Sequence, residues 1–391
     1  MHAPMVQSAM ATAENVASRR PAGAAVAVRL ERDFDFGSTE YRQLFDRADA
    51  TAFQHPVWLE ALHRHLAPAR GATNATVAGR DASGTLLFVL PLIRRRMTGV
   101  DLVEAADLGV GDYCAPVVDR SFATQADLPV QVASALDGYD ILRLKPARPD
   151  AADAWRQFFD ARATTLDFGA HATDLAPSYD AWRARAYQPA FAKYLDRRRK
   201  RFWKAEGASL RRLTDEGEIG GSIEAIRDLR AGRFDGDPIQ QRFVADFYAE
   251  VALRGTPSGY ARVYVLDLGG ETIGHVFALA HRGRLHYLLI GCDYERHGRH
   301  SPGLVMYDAM IAEWIGEGGT VFDFTIGDEP FKMDFGTVAT PMAELVATPT
   351  WKGRLARAAI DARAEWRRLR QKRSEAAVGA ADAKAEEKND P

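Results

Sequence analysis

Cysteine is scarce in this chain of 391 residues. The two present, Cys114 and Cys292, stand far apart and form no Cys-x-x-Cys pattern. That argues against a disulfide scaffold or a zinc site and favours a reducing, cytoplasmic compartment. No run of about 18 apolar residues occurs, so no transmembrane helix is expected. The N-terminus lacks the continuous apolar run of a signal peptide. The formal net charge is −2, so no global field draws the chain to nucleic acid. Walker, GxGxxG, HExxH and deaminase motifs and any Ser/His/Asp order are missing too. No metal is expected.

What is present is an ordinary globular composition, 47% hydrophobic and 27% charged, long enough for two domains. The sequence divides into a disordered leader (1–25), a first α/β unit (26–170), a second (171–350), a basic amphipathic helix (351–374) and a low-complexity tail (375–391). In the first unit, Val26 to Phe36 suggests a strand and Ser38 to Ala48 a helix. Pro56 then suits the first turn of a helix in which Trp58, Leu59, Leu62 and Leu66 recur at helical spacing. That stripe packs on a sheet; on a functional reading, Gln54, His55 and Trp58 face a substrate cleft. A hairpin turning at Gly84 leads into one long strand, TLLFVLPLIRRR. A third strand, the irregular link Gly109 to Pro116, a helix (Thr124 to Leu136) and a strand (YDILRLKPA) follow.

The second unit repeats this order: a hairpin, a third strand, a glycine-containing loop, a helix and a strand. The repeat is one of pattern, and it implies two copies of one α/β unit. Between them, Arg197, Arg198, Arg199, Lys200, Arg201 and Lys204 flank Tyr194, Leu195, Phe202 and Trp203. This is either a solvated helix face or an anion site for phosphates. After the second unit, GRLARAAIDARAEWRRLRQKR reads as an amphipathic helix. Leu355, Ala358, Ala359, Ala362 and Trp366 would face the protein, with arginines outside. Such a helix can also lie on an anionic membrane surface.

The chemistry concentrates between Ala261 and Gly336. The loop YERHGRHSPG follows a strand and opens a helix, where free N–H groups and a partial positive charge suit a pyrophosphate. Gly298 and Gly303 would permit close approach, Ser301 fits the N-cap and Pro302 the first turn. Arg296 and Arg299 add charge. Asp323 stands inside an apolar strand, and a partly buried carboxyl there can be raised to act as a base toward an amine. Glu329 is the alternative base. Lys332 can pair with either acid, or stabilise the oxyanion of an attacked carbonyl. Candidates for the acceptor cleft are Trp58, Asp112, Tyr113, Arg198, Tyr287 and Tyr294.

DRRRKRFWKAEG, GGETIGHVFAL, CDYERHGRHSPG and FDFTIGDEPFKMDFG, with FQHPVWLEALHRHL, LLFVLPL and DYCAP earlier, carry a family likeness. From Ala50 to Gly336 the chain resembles the GNAT-like acyltransferase domain of the CelD/BcsL group, linked to bacterial cellulose or exopolysaccharide production and related to the FemABX peptidyltransferases. The resemblance implies tandem GNAT-like units, with mixed central sheets flanked by helices and an acyl-CoA site in the second unit. Arg299, Ser301, Pro302 and Gly303 would hold the CoA pyrophosphate. Phe331 and Lys332 match the Phe-Lys pair at the FemABX reaction centre, and Asp323, Gly327 and Glu329 the Asp-Phe…Gly-x-Glu pattern. His300-Ser301-Pro302-Gly303 departs from a simple GxG. The implied activity is acyl transfer from acyl-CoA to a small-molecule or sugar-linked acceptor. The alternatives are peptidyl transfer from aminoacyl-tRNA and a non-catalytic accessory role in polysaccharide synthesis.

Overall fold

The computed structural model describes residues 26–234, 236–363 and 366. The expected leader and tail, and the end of the expected C-terminal helix, lie outside the described residues. Among those described, eleven strands form one mixed sheet. Its order is Ser209–Arg212, Ala261–Leu268, Glu271–His281, Arg284–Cys292, Val321–Ile326, Arg162–Asp174, Val338–Ala347, Ile141–Ala147, Val100–Ala105, Leu92–Met97 and Ala72–Asn74. A separate four-stranded antiparallel sheet joins Ala27–Leu30, Val77–Arg80, Leu86–Leu90 and Val117–Val118.

The expected long strand of the first hairpin is therefore two strands in two sheets. Pro91 divides them, because a proline has no N–H for a ladder. Its carbonyl instead accepts the Ala106 N–H at 2.9 Å.

The internal repeat is visible in the pairing. Each half contains one parallel strand pair, three residues long, on either side of a crossover helix. In the first half Leu102, Val103 and Glu104 face Ile141, Leu142 and Arg143. In the second, Arg284, Leu285 and His286 face Val321, Phe322 and Asp323. The first helix, Leu128–Ala135, has 8 residues; the second, Pro302–Gly316, has 15 and buries Val305, Met306, Met310, Ile311 and Trp314.

The two halves exchange strands. Arg162–Asp174 leaves the first half and inserts between Val321–Ile326 and Val338–Ala347. Val338–Ala347 in turn pairs with Ile141–Ala147 of the first half. The boundary expected at 170/171 thus falls inside a 13-residue strand. Helices cover both faces of the second half. Glu216–Arg230 and Arg242–Gly255 share one core with Phe53, Trp58 and Tyr113 of the first half. Pro302–Gly316, Tyr179–Ala186 and Pro189–Trp203 form the other.

Because hydrogen bonds of one strand serve both halves, neither half has a complete sheet alone. The chain should unfold in a single transition, with tryptophan fluorescence and far-ultraviolet dichroism coinciding against denaturant. Two separated transitions would show that the halves are independent.

Candidate active site

The parallel pair of the second half stops early. Beyond His286 and Asp323, the backbone ladder between the strands Arg284–Cys292 and Val321–Ile326 ends. Leu288 is bulged out of the ladder with Glu271–His281, and the ladder of Val321–Ile326 with Arg162–Asp174 shifts between Asp323 and Ile326. At that shift Thr325 has φ 58°. A β-branched residue in the left-handed region is an outlier that costs about 1–3 kcal/mol and marks functional sites. Two local bonds hold it there. Its N–H donates to Asp323 Oδ1 at 2.8 Å, and its hydroxyl donates to the Tyr287 carbonyl at 3.2 Å.

The splay opens a cleft of about 410 Å³, lined among others by Tyr287, Tyr294, Tyr307, Thr325, Glu329, Phe331 and Lys332. Five of the sequence candidates therefore converge on it. Phe331 stacks on Tyr307, with ring centroids 5.3 Å apart. The Tyr307 hydroxyl donates to that of Tyr287 at 3.0 Å. Burial pushes both phenols up, so both stay protonated and able to donate. Buried Lys332 is fully engaged: Nζ donates to the carbonyls of Ile326 (2.7 Å) and Gly327 (2.9 Å) and pairs with Glu329 Oε2 (2.9 Å). It clasps the turn after the strand, and Glu329 is tied to it.

The carboxylates sort differently from the sequence expectation. Asp323 is not a raised base. Burial pushes it up, but His286, Arg284 and the Tyr113 hydroxyl outweigh that and hold it at about 2. Arg284 Nη1 lies 2.9 Å and His286 Nδ1 3.5 Å from Oδ2, and Tyr113 Oη donates to Oδ1 at 2.8 Å. An ionised carboxylate saturated with donors is a poor proton acceptor. Asp112, read from sequence as a substrate contact, is the carboxyl that is raised. Burial drives it to about 7, with help from the charges of Asp107 and Asp323. Asp112 is not among the residues that line the cleft. A raised carboxyl can be recognised only once its neighbours are known, so nothing in the sequence marked it.

The helix entrance departs from expectation in detail. Ser301 occupies the N-cap position, but with φ 51° and ψ 56° and no side-chain cap bond. A Cβ at Gly303 would meet the Tyr294 hydroxyl, so a larger residue there would displace the end of that exposed side chain. Gly298 faces open space at φ −54°, so its position does not require glycine. Arg296 is committed to Asp293 (2.6 Å) and Glu271 (2.9 Å). The Arg299 carbonyl accepts from Arg198 Nη1 (2.8 Å) and Arg201 Nη1 (2.9 Å), so the basic helix docks on the entrance loop. Arg199 turns inward to Asp308 at 2.9 Å. Arg230, paired with Asp237 at 2.6 Å, and Arg233 line the same cleft, a place the sequence did not assign them. They donate to the carbonyls of Ile290 (3.3 Å) and Cys292 (3.4 Å) on the splayed strand.

Two acceptor candidates are structural. Trp58 is fully buried, edge-on to Phe53 and Phe247. The helical periodicity places it in the core, and the cleft reading of Trp58 does not hold. Gln54 closes a capping box with Thr51 and donates to the Tyr113 carbonyl at 2.9 Å, while His55 caps the next helix through Nδ1. Tyr113 is spent on Asp323. A larger hollow of about 610 Å³ lies against His55, Tyr260 and His281, apart from the splay.

Residues 189–333 match the family model described as acetyltransferase (GNAT) domain. The fold is similar to that of FemX (TM-score 0.56, 12% identity, 79% of this chain and 96% of that one). It is similar to a conserved protein of unknown function from Bacteroides thetaiotaomicron VPI-5482 (0.53, 10%, 82% and 99%). L-PGS from Bacillus licheniformis is a third such structure (0.51, 13%, 79% and 91%). No curated protein sequence is significantly similar to the chain. Fold and cleft together define a mixed α/β protein with an internal repeat, and residues 189–333 in its second half are similar to a GNAT acetyltransferase domain.

Two stability effects follow. The folded-state value of Asp112 is raised above the ordinary 3.8, so the unfolded chain ionises first and Asp112 costs stability increasingly as pH climbs from about 4 to about 7. Asp112→Asn should therefore match the parent near pH 4 and exceed it near pH 8, by on the order of a few kcal/mol. Denaturant midpoints at the two pH values test this, and a variant less stable at the higher pH would refute it. Lys332→Ala leaves two carbonyls and Glu329 without their partner. It should cost about 2–4 kcal/mol, read from the same denaturant curves.

Proposed function

We propose that the protein is an acyltransferase that moves an acyl group from a CoA thioester to an amine, or a sugar hydroxyl, of a cell-envelope polysaccharide precursor. The observation that carries this reading is the splayed parallel pair beside a 15-residue helix whose N-terminus opens at Ser301-Pro302-Gly303. An open strand edge offers amide groups to an extended arm, and a helix N-terminus offers its free N–H groups to phosphates. Gly303, Ser301 and the nearby Arg198 and Arg201 would hold the pyrophosphate. Membership of the CelD/BcsL group, suggested by the quoted motifs, supports the acceptor class.

In this reading Asp112 takes the proton of the acceptor nitrogen or oxygen, which attacks the thioester carbonyl. The new C–N or C–O bond forms and the C–S bond breaks. The Tyr287–Tyr307 pair returns a proton to the leaving thiolate. Lys332 keeps the Ile326–Gly327 turn in place beneath the reacting carbonyl and, if it shifts off one of its own carbonyl partners, donates to the oxyanion. No covalent enzyme intermediate is needed.

One observation favours a second reading. Arg230 and Arg233 occupy carbonyls on the strand edge that a CoA arm would use. With the likeness in fold to FemX, this supports aminoacyl-tRNA as donor and peptidyl transfer as the reaction.

Calorimetry with acetyl-CoA and longer acyl-CoAs separates the readings. Micromolar binding of at least one thioester is expected, corresponding to about −8 kcal/mol. Absence of binding by every thioester sinks the leading proposal and leaves the aminoacyl donor or a non-catalytic accessory role. If Lys332 assists the oxyanion, Lys332→Ala should keep thioester affinity and lose turnover well below its melting temperature. Normal turnover would remove that role.

A further inference from the structure

The helix over residues 351–363 sits on the body the opposite way round from the sequence expectation. It touches the rest of the chain through Gly353, which is buried so tightly that a Cβ would strike the Asp140 carbonyl. One turn on, Arg357 reaches Glu344 at 2.9 Å. Gly353, Ala356 and Arg357 share one helix face at i, i+3, i+4 spacing, and are the residues of this helix that lose exposure. The face opposite carries Trp351, Leu355, Ala358 and Ala362 at i, i+4, i+7 and i+11. Trp351 and Leu355 are each 63% exposed, and Trp366, on the same spacing, is 59% exposed. The apolar stripe is therefore turned away from the protein's own core.

The charge around this stripe is one-sided. Lys352, Arg354 and Arg363 are exposed beside it. From 351 to 373 the sequence holds nine Lys and Arg against Asp361 and Glu365, in a chain whose net charge is −2. A stripe of Trp, Leu and Ala flanked by cations is what an anionic lipid surface complements. The aromatic and aliphatic side chains enter the headgroup boundary, and the cations meet lipid phosphates. No helix among the described residues is long and apolar enough to cross a membrane, so the contact would be peripheral.

We propose that this helix docks the protein on an anionic membrane surface, with Trp351 and Leu355 inserted and Lys352, Arg354 and Arg363 on the headgroups. The inference stands apart from the acyl-transfer reading, since no residue of the cleft takes part.

Co-sedimentation of the full chain with vesicles tests it, using phosphatidylcholine alone and an equimolar mixture with phosphatidylglycerol. The chain should pellet with the anionic vesicles and remain in solution with the neutral ones. Trp351→Ser with Leu355→Ser should weaken binding by about tenfold or more, as the inserted area is lost. Lys352→Gln, Arg354→Gln and Arg363→Gln together, or high salt, should weaken it by a similar factor. Both variants alter exposed side chains, and an unchanged dichroism spectrum and melting temperature confirms that the fold is intact. Failure to pellet with either vesicle overturns the proposal, as does binding indifferent to the Trp351/Leu355 change. A dimer in solution that the same change dissolves would assign the stripe to a second copy of the chain instead.

Discussion

The buried carboxylate of Asp323 is the constraint on which the rest of the site depends. A lone ionised carboxyl in an apolar sheet would cost many kcal/mol, so it must be met by donors. Arg284 comes from the neighbouring strand, with His286 Nδ1 3.5 Å away beside it, Tyr113 comes from the first half of the chain, and the Thr325 N–H comes from two residues on. The bond to Thr325 helps hold that residue in its left-handed conformation. That conformation accompanies the shift of the strand and the end of its parallel pairing. The same carboxylate thus pins the two halves together and sits at the mouth of the splay.

Two carboxyls on either side of this point have opposite electrostatic fates. Asp323 has donors on both oxygens and stays ionised. Asp112 has burial, Asp107 and Asp323 working against its charge, and the charge of Lys332 does not offset them. Asp107 is itself pushed up to about 6 by burial, despite hydrogen bonds from the Gly111 and Gly109 amides. Pushing the values of nearby acids apart allows one to act as a fixed charge and another to exchange a proton near neutrality. The strand exchange serves the same end. It makes the position of Asp112, carried by the first half, rigid with respect to a cleft built by the second.

Much of the architecture was legible along the chain. The crossover helix with Pro302 in its first turn, the strands on either side of it and the two-unit repeat follow from periodicity and turn residues, whereas Phe331 and Lys332 were singled out by the family resemblance and line the cleft with Tyr287, Tyr294 and Glu329. Three features were not. Arg162–Asp174 carries threonines and small residues instead of a hydrophobic run, and it is a strand because ladders on both sides claim it. The helical spacing of Trp58 favours a core position, and only the closure of Phe53 and Phe247 over it removes the cleft alternative. The direction in which helix 351–363 faces depends on the fit of Gly353 against Asp140, far away in sequence.

The sequence by itself determined most of the helices and the strands of the second half's hairpin, because side-chain periodicity and caps act over a few residues. Tertiary structure alone decided which acid keeps its charge and which is raised, which strand belongs to which half, and which side of the last helix meets solvent. Those properties are set by partners brought together from afar, as Tyr113 and Asp323 are across 210 positions. Burial, charge and pairing do not exist for a residue until those partners arrive.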